Sequence, residues 1–152
     1  MLRAVLDANV YVSAYVRPEG TPGQVIERFL RHAAFEFVLS NEIAAEVLRS
    51  LGYPKVLKAA RPRAEPELWF EDILVLAEMI PGEHPVAGIS ADPDDDRYVA
   101  AAIEGRAAFV VSGDPDLLEI GEHQGIRFVT PRAFLDLLVG PDRRRCVYEN
   151  RQ

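Results

Sequence analysis

The feature that most constrains the fold is the alternation of short, continuously apolar runs with longer segments of helical periodicity. The apolar runs at residues 2–6, 35–39, 107–111 and 126–129 have the length of strands that are buried on both faces. Helices are predicted between them, because apolar side chains recur there every three or four residues. Strands that alternate with helices form a parallel sheet covered by helices on both faces. The sequence therefore predicts an α/β fold with a central, mainly parallel sheet in three α/β/α layers.

The predicted helices follow from the same periodicity and from capping residues at their starts. Ser40 precedes one apolar stripe, and Asp92 precedes Pro93 in another, which is typical of a helix N-terminus. The segment 18–23 is rich in turn residues and is expected to be a loop, while 80–89 is ambiguous and is a candidate edge strand. Helices are predicted over residues 10–16, 24–32, 41–51, 56–60, 67–79 and 92–105, with a last helix that begins at Pro131.

A chain of 152 residues is long enough for one domain with a proper hydrophobic core. We expect residues 1–139 to form that domain and residues 140–152 to be a polar C-terminal tail. No apolar run approaches the length of a membrane span, and the first residues lack the long apolar region of a signal peptide. The single cysteine, Cys146, excludes an internal disulfide. A cytoplasmic location is the simplest interpretation.

The net charge of −7 results from 17 basic and 24 acidic residues. A protein that holds nucleic acid by bulk charge needs an excess of lysine and arginine, which this chain lacks. The charge is uneven, however. Residues 64–96 contain ten acidic side chains and no lysine or arginine, whereas a basic segment lies just before them, formed by Lys55, Lys58, Arg61 and Arg63. A negative total is therefore compatible with local basic surface.

Many of the acidic residues lie in four short islands, each where a predicted strand ends or a predicted helix begins. Asp7 follows the first strand directly, and Asp114 follows the strand at residues 107–111. Because the carboxyl ends of parallel strands meet at one edge of a sheet, topology alone brings these two carboxylates together. A third acid, Glu46, lies on a helix at the border of its buried face. The islands are residues 7–9, 40–46, 92–96 and 112–116.

Each of these acidic residues also has an ordinary structural explanation. Asp7 and Asp92 are good helix caps, and a glutamate at the position of Glu46 is usually solvated. Asp95 and Asp96 both point toward the apolar side of their helix, so either is able to face the sheet edge. Four acids within residues 92–96 nevertheless exceed what capping requires. Gathered carboxylates repel one another and need a cation, for which Mg²⁺ and Mn²⁺ are suited, and two such ions can cut a phosphodiester bond.

The order of the islands resembles that of the PIN domain family, and in particular its VapC-like branch, the toxin components of toxin–antitoxin systems. The likeness spans residues 2–138, although Ala8 stands where a threonine is usual. It implies an α/β/α fold, an Mg²⁺- or Mn²⁺-dependent ribonuclease, a homodimer, and a cognate antitoxin that fills the active-site groove. The segments that carry the resemblance are Asp7-x-Asn9, Glu46, Asp92-Pro-Asp-Asp-Asp96, Ser112-Gly-Asp-x-Asp-Leu-Leu118 and Thr130-Pro-Arg-x-Phe-Leu135.

The resemblance also assigns the residues of the site. The third acidic position is either Asp95, which the Asp-Pro-x-Asp spacing favours, or Asp96, which counting back from Ser112 favours. The implied metal-binding and catalytic residues are Asp7, Glu46, Asp95 or Asp96, and Asp114. The residues implied to support those ligands are Asn9, Ser13, Asp92, Ser112 and Asp116.

RNA is expected to bind through basic side chains and through bases stacked on aromatic rings. Tyr11, Tyr53 and Tyr98 are candidates for stacking. A solvated helix surface explains the basic segment at least equally well. The predicted RNA-binding residues are Arg17, Lys55, Lys58, Arg61 and Arg97.

Two other functions remain open from the sequence. A metal-dependent phosphohydrolase would use Asp7 as its nucleophile. Such enzymes want a second aspartate two residues on, where this chain has Asn9, and a lysine near the site. A non-catalytic binding domain would keep the acidic residues for solubility or for a basic segment of an antitoxin.

Overall fold

The computed structural model describes residues 2–60 and 65–149, with side chains described as far as residue 140. Strands and helices alternate along the chain, as the sequence predicts. The strands are β1 (Arg3–Leu6), β2 (Glu36–Ser40), β3 (Glu78–Ile80), β4 (Phe109–Val111), β5 (Glu122–His123) and β6 (Ile126–Val129). The helices are α1 (Ala8–Val16), α2 (Thr21–His32), α3 (Asn41–Leu51), α4 (Pro54–Ala59), α5 (Pro66–Leu76), α6 (Asp96–Glu104), α7 (Pro115–Leu118) and α8 (Pro131–Glu149).

The strands form one six-stranded sheet in the order β3-β2-β1-β4-β6-β5. Neighbouring strands are parallel except β5, which pairs antiparallel with β6 at one edge. In the central strand β1, Ala4 pairs with Phe37 of β2 on one side and with Phe109 of β4 on the other. Residues 4–6 are fully buried, as expected of a strand covered on both faces. The predicted central, mainly parallel sheet is confirmed.

The strand order reverses at β1, since β2 and β3 lie to one side of it and β4 and β6 to the other. Because crossovers between parallel strands are right-handed, the helices of the two halves fall on opposite faces of the sheet. Accordingly α6 contacts β1, β2 and β4, whereas α1 packs against α2 and α3. In folds of this kind, ligands bind in the crevice outside the carboxyl ends of the strands at the reversal. Here that crevice lies between the ends of β1 and β4.

Aromatic side chains fill the core beneath α1 and α8. The ring of Phe35 lies 4.8 Å from that of Phe37 and 4.9 Å from that of Phe134, both edge to face. Tyr11 of α1 is wholly buried between Phe37 and Phe70, with ring centroids 5.7 and 5.6 Å away. These contacts anchor α1, whose first residue follows Asp7.

The helix predicted over residues 67–79 is too long at its C-terminal end. It ends at Leu76, after which Ala77 adopts an extended backbone (φ −76°, ψ 153°). Residues 78–80 then form β3, in which Ile80 pairs with Ser40. The apolar side chains at 76, 79 and 80 have helical spacing, but pairing with β2 overrides that local preference. The edge strand expected within 80–89 therefore lies earlier in the chain.

The segment 18–23, predicted to be a loop, is helical from Thr21 onward. Pro22 stands in the first turn of α2, where its missing N–H is not needed. Gly23 has a steric role, because a Cβ there would lie 2.1 Å from the carbonyl oxygen of Pro18. The prediction was wrong because proline and glycine serve here to start a helix and to pack it closely.

Two further differences concern short elements. The single helix predicted over residues 92–105 is divided into a 3₁₀ turn at Pro93–Asp95 and the helix α6. The strand β5 was not predicted, because two residues carry no readable pattern. The first difference moves a helix boundary, and the second adds an antiparallel strand at the edge of the sheet.

The last helix is interrupted at Gly140, whose φ of 66° lies in the left-handed region that favours glycine. Helical backbone resumes beyond it and ends at Glu149. A separate tail at residues 140–152 remains a prediction. Arg61, one of the predicted RNA-binding residues, lies outside the described residues. No helix within the described ranges combines the length and the apolar character that a membrane span requires.

Candidate metal centre

Asp7 lies at the junction of β1 and α1 and is almost completely buried, with 4% of its surface exposed. Its Oδ1 accepts a hydrogen bond of 3.2 Å from the backbone N–H of Asn9, which caps α1 as expected. Its Oδ2 accepts a hydrogen bond of 2.7 Å from the hydroxyl of Ser112, at the end of β4. Burial raises the pKa of Asp7, the two hydrogen bonds oppose that rise, and the charges of Glu46 and Asp114 add to it.

The densest acidic cluster consists of Asp95, Asp114 and Asp116, which we call the carboxylate cluster. One oxygen from each of its members lies within 4.8 Å of the other two. Asp114 caps α7, since its Oδ1 accepts a hydrogen bond of 2.9 Å from the N–H of Asp116. The Oδ2 of Asp95 is buried and has no hydrogen-bond partner among the residues that the structure describes. A buried carboxylate oxygen without a donor is costly unless a proton or a cation reaches it.

The electrostatics of the carboxylate cluster point in the same direction. Burial, followed by the negative charges of Asp114, Asp7 and Asp92, raises the pKa of Asp95 to about 7, and a hydrogen bond to Asp114 that only the protonated carboxyl can donate adds to the rise. The Asp95 carboxyl therefore holds its proton nearly to neutral pH when no cation is bound. A divalent cation would replace that proton, and all-oxygen donors are the ligands that Mg²⁺ and Mn²⁺ prefer. The residues present thus fit a hard divalent cation.

Asp96, the alternative to Asp95, has a different role in the structure. Its buried carboxylate accepts hydrogen bonds from three consecutive N–H groups, at Gly88 (2.9 Å), Ile89 (3.2 Å) and Ser90 (2.7 Å). These bonds fasten the loop before the 3₁₀ turn onto α6. Asp92 is exposed and caps that turn by accepting from a backbone N–H at 3.0 Å.

Glu46 of α3 is held by two neighbouring residues of α6. The Tyr98 hydroxyl donates a hydrogen bond of 2.7 Å to Oε2 of Glu46, and Arg97 Nη1 donates to the same oxygen at 3.1 Å. The Glu46 side chain is 31% exposed, so it is neither a core residue nor a freely solvated one. The Tyr98 hydroxyl also accepts a hydrogen bond of 3.2 Å from the N–H of Ala8, so one atom ties Glu46 to the residue that follows Asp7.

Arg97 was predicted to bind RNA, and the structure pairs it with acidic side chains instead. Besides Glu46, it lies 3.6 Å from Glu42 and 3.7 Å from Asp94, and its Nε donates to the Asp94 carbonyl at 2.8 Å. Only 18% of its side chain is exposed. These contacts make Arg97 an internal counter-charge for the acidic residues around it.

The other predicted RNA-binding residues that the structure describes, Arg17, Lys55 and Lys58, are exposed. Arg17 and Lys55 line an open groove of about 480 Å³ between α1 and α4, whose wall includes Ser13 and Val56. Ser13, predicted to support the metal ligands, therefore faces this groove. Of the tyrosines proposed for stacking, Tyr11 and Tyr98 are buried and only Tyr53 is exposed, so the first two were wrongly assigned.

The amino-acid sequence matches the PIN domain family over residues 3–116, which is most of the chain. The chain belongs to the PIN domain family. The resemblance read from the four acidic islands is thereby confirmed. A relative of similar length, the uncharacterized protein MJ1680 of Methanocaldococcus jannaschii, is 22% identical over 150 residues, covering 89% of this chain and 90% of the relative.

The fold of this PIN domain is also similar to that of a solved structure, VapBC2 from Rickettsia felis bound to a DNA fragment from their promoter. The TM-score is 0.52 and the identity 14%, over 85% of this chain and 98% of the other. At that identity the likeness establishes the α/β fold alone.

Two residues of this PIN domain have a larger part in the site than the sequence suggested. Asp116 was expected to support the ligands, yet it belongs to the carboxylate cluster itself. Tyr98 was proposed for base stacking, yet its hydroxyl is buried against Glu46. The available signal was its position three residues after Asp95, which places both side chains on one side of the helix. Its partner Glu46 is 52 residues away in the chain and could not be read from the sequence.

Proposed function

We propose that this PIN domain is a divalent-metal-dependent endoribonuclease that hydrolyses RNA phosphodiester bonds and acts as the toxin of a toxin–antitoxin pair. The observation that carries the proposal is the carboxylate cluster, in which Asp95 keeps a buried oxygen without a donor in the described part of the chain. The cluster stands beside Asp7 at the reversal of strand order, where folds of this type bind ligands. Proteins of the PIN family are generally nucleases, which agrees with this chemistry.

The cation would be Mg²⁺ or Mn²⁺, held by Asp7, Glu46, Asp95 and Asp114, with Asp116 of the carboxylate cluster within reach of the same ion. A bound divalent ion supplies Lewis acidity that activates water and neutralises charge on the phosphate. We take Asp95 rather than Asp96 as the third ligand, because Asp96 already accepts three backbone hydrogen bonds. Ser112 orients Asp7 through their hydrogen bond. Tyr98 and Arg97 both donate to Oε2 of Glu46, so its other carboxylate oxygen, Oε1, is the atom suited to orienting a water.

The two rival functions are less well supported. A phosphohydrolase with Asp7 as nucleophile wants a second aspartate two residues on as its acid, and this chain has Asn9 there. It also wants a lysine near the site, whereas Lys55 and Lys58 are exposed on α4. A non-catalytic binding domain gives no account of three carboxylates gathered within 4.8 Å of one another, since acids spread over the surface serve solubility equally well.

For RNA binding we propose the groove lined by Arg17 and Lys55, with Lys58 nearby on α4. Cations beside apolar side chains suit a backbone phosphate and a splayed base. Helix α1 connects the proposed metal centre to this groove, because its first turn follows Asp7 and its last turn precedes Arg17. Ten residues of helix span about 15 Å, the length of a few nucleotides of single strand. Arg97 contributes by neutralising acids rather than by meeting RNA directly.

A toxin needs an inhibitor, and we propose a cognate antitoxin as the second partner. The fold likeness to VapBC2 supports that partner by analogy. We also propose a homodimer, for which the support is a set of exposed apolar side chains on α5 and β3. Val75 is 77% exposed, and Leu68, Leu76 and Met79 accompany it. Exposed apolar groups in such number mark contact surfaces rather than ordinary solvent-facing helix.

We also propose how the chain divides into a domain and a tail, and where in the cell the protein acts. Residues 1–139 would be the nuclease domain and residues 140–152 a polar tail. The break at Gly140 supports a boundary there. A toxin that acts on cellular RNA would work in the cytoplasm.

The test is cleavage of a mixed pool of structured and single-stranded RNA in the presence of Mn²⁺, Mg²⁺ or EDTA. Wild-type protein is compared with Asp114→Asn and with Glu27→Gln, an exposed acid of α2 that serves as the control. We expect cutting that requires the metal, that falls on the order of a hundredfold or more in Asp114→Asn, and that is unchanged in Glu27→Gln. Equal cutting by wild type and Asp114→Asn would contradict the proposal.

A further inference from the structure

The hydroxyl of Tyr98 joins three elements at the candidate centre. It accepts a hydrogen bond of 3.2 Å from the backbone N–H of Ala8, the first residue of α1. It donates a hydrogen bond of 2.7 Å to Oε2 of Glu46 on α3. The ring belongs to α6 and is 1% exposed, so the packed core fixes the position of the hydroxyl.

Which group donates in each of these two hydrogen bonds follows from the donors available. A backbone N–H only donates, so the Ala8 N–H must point at the Tyr98 oxygen, and the single hydroxyl proton is left for Glu46. Hydrogen bonds linked in this way polarise one another, which strengthens the bond that reaches the carboxylate. The same contact satisfies an N–H of the first helical turn, which has no partner inside the helix.

Glu46 would not remain in this position without donors. Asp7 is a neighbouring carboxylate, and repulsion between like charges would drive a flexible glutamate side chain outward to water. Tyr98 and Arg97 both donate to Oε2, which leaves Oε1 without a donor from the described residues. The pair of α6 residues therefore selects one rotamer of Glu46 and keeps one of its oxygens available.

We infer that Tyr98 is a positioning residue, whose hydroxyl holds Glu46 beside Asp7 in the geometry needed to receive a divalent cation. This inference rests on the proposed function, because it assigns Glu46 to the metal centre. Tyr98 itself touches neither substrate nor cation. Its effect on the reaction passes through the carboxylate that it orients, as is usual for groups behind metal ligands.

The chain offers a matched control in Tyr11. This tyrosine is equally buried, and its hydroxyl has no hydrogen-bond partner in the described part of the protein. Tyr98→Phe and Tyr11→Phe thus remove the same atom from equally buried rings. Only the first removes a bond to Glu46.

The experiment is calorimetric titration of the full chain with Mn²⁺ alone, for wild type, Tyr98→Phe, Tyr11→Phe, Glu46→Ala and the double variant Glu46→Ala/Tyr98→Phe. We expect Tyr98→Phe to raise the Kd for Mn²⁺ about tenfold or more and Tyr11→Phe to leave it unchanged. In the Glu46→Ala background, Tyr98→Phe should have no further effect, because the group it orients is gone. In RNA cleavage, kcat should fall while KM stays near the wild-type value.

The possible outcomes separate this inference from the proposed function. A Kd that rises equally with and without Glu46 would overturn the inference, because a general packing defect acts in both backgrounds. So would wild-type Mn²⁺ affinity in Tyr98→Phe, whatever its thermal stability, and so would a wild-type protein that binds no Mn²⁺. A third outcome is that Tyr98→Phe weakens Mn²⁺ binding only when Glu46 is present, while the wild-type protein cuts no RNA. That result would uphold the positioning role and refute only the nuclease.

Discussion

The Oγ of Ser112 lies 2.7 Å from Oδ2 of Asp7, across the reversal of strand order between β1 and β4. The same hydroxyl accepts a hydrogen bond of 2.9 Å from the N–H of Asp114. One buried serine therefore sets the position of two of the proposed metal ligands. It does so where the parallel strands β1 and β4 end side by side, just beyond the last backbone hydrogen bonds between strands, from the Asp7 N–H to the Val111 carbonyl and from the Ser112 N–H to the Val129 carbonyl, both 3.0 Å.

We predict that Ser112→Ala weakens the centre without abolishing it. The hydrogen bond from Ser112 lowers the pKa of Asp7, so its loss lets burial raise that pKa further. The acidic limb of the pH–rate profile should move to higher pH, and stability should fall by about 1–2 kcal/mol. The profile is measured in Mn²⁺ for this variant and for Ser50→Ala, at the end of α3, which should match wild type. An acidic limb that does not move would contradict the prediction.

A second prediction concerns stability in the absence of metal. The pKa of Asp95 in the folded protein is about 7, above its ordinary value of 3.8, so the folded state binds this proton more tightly than the unfolded chain does. The stabilising contribution is therefore complete below 3.8 and is lost as the pH rises through about 7. Asp7, whose pKa is also raised, acts in the same direction. With EDTA present, wild-type protein should lose stability between about pH 5 and about pH 8.

Asp95→Asn tests this assignment directly. The variant should be more stable than wild type at about pH 8 by about 1 kcal/mol, a value kept low because Asp95 is partly exposed and water screens its charge. Urea unfolding at the two pH values gives the comparison, and Glu27→Gln on α2 is the exposed control. Addition of Mn²⁺ at pH 8 should stabilise wild type more than Asp95→Asn. If Asp95→Asn kept the full pH dependence of wild type, another group would be responsible.

Some residues of the proposed metal centre were predictable from the sequence, and others were not. Asp7 and Asp114 follow buried strands, and topology alone requires that they meet, so both were predictable. Asp95 and Asp96 are adjacent, and their roles separate only through contacts of Asp96 with the loop at residues 88–90. Those bonds depend on how the loop returns to α6, which no local pattern encodes. The edge strand β3 was likewise placed too late in the chain, because its pairing with β2 determines where it forms.

The RNA groove gives a third prediction. Arg17→Ala and Lys55→Ala together should raise the KM for RNA several-fold and leave kcat nearly unchanged. The slope of log affinity against log salt concentration should become shallower by the amount expected for about two lost phosphate contacts. The measurement is RNA affinity across a salt series. Arg31→Ala removes an exposed arginine of α2 that pairs with Glu27, and it serves as the control. Equal salt slopes for the double variant and wild type would exclude these cations from RNA binding.

A fourth prediction concerns the exposed apolar side chains of α5. Val75 is 77% exposed and lies two helical turns after Leu68, on the same face. In a two-fold dimer a glutamate at this position would meet itself or an apolar partner, so Val75→Glu should weaken self-association at least about tenfold. Sedimentation equilibrium of wild type, Val75→Glu and Leu137→Glu, a control on α8, measures this. A wild-type protein that is monomeric at high concentration would refute the dimer.

The last prediction separates the two adjacent aspartates at the start of α6. Asp96→Asn replaces a buried acceptor of three N–H groups by an amide whose NH₂ accepts nothing, so stability should fall by about 2–3 kcal/mol. Its Mn²⁺ affinity, measured below the unfolding transition, should stay within a few-fold of wild type. Asp95→Asn should behave in the opposite way, with Mn²⁺ affinity and RNA cleavage lost and the fold retained. Because the two substitutions are chemically identical and one residue apart, each is the control for the other. If Asp96→Asn lost Mn²⁺ while Asp95→Asn retained it, Asp96 would be the metal ligand and the carboxylate cluster would need another explanation.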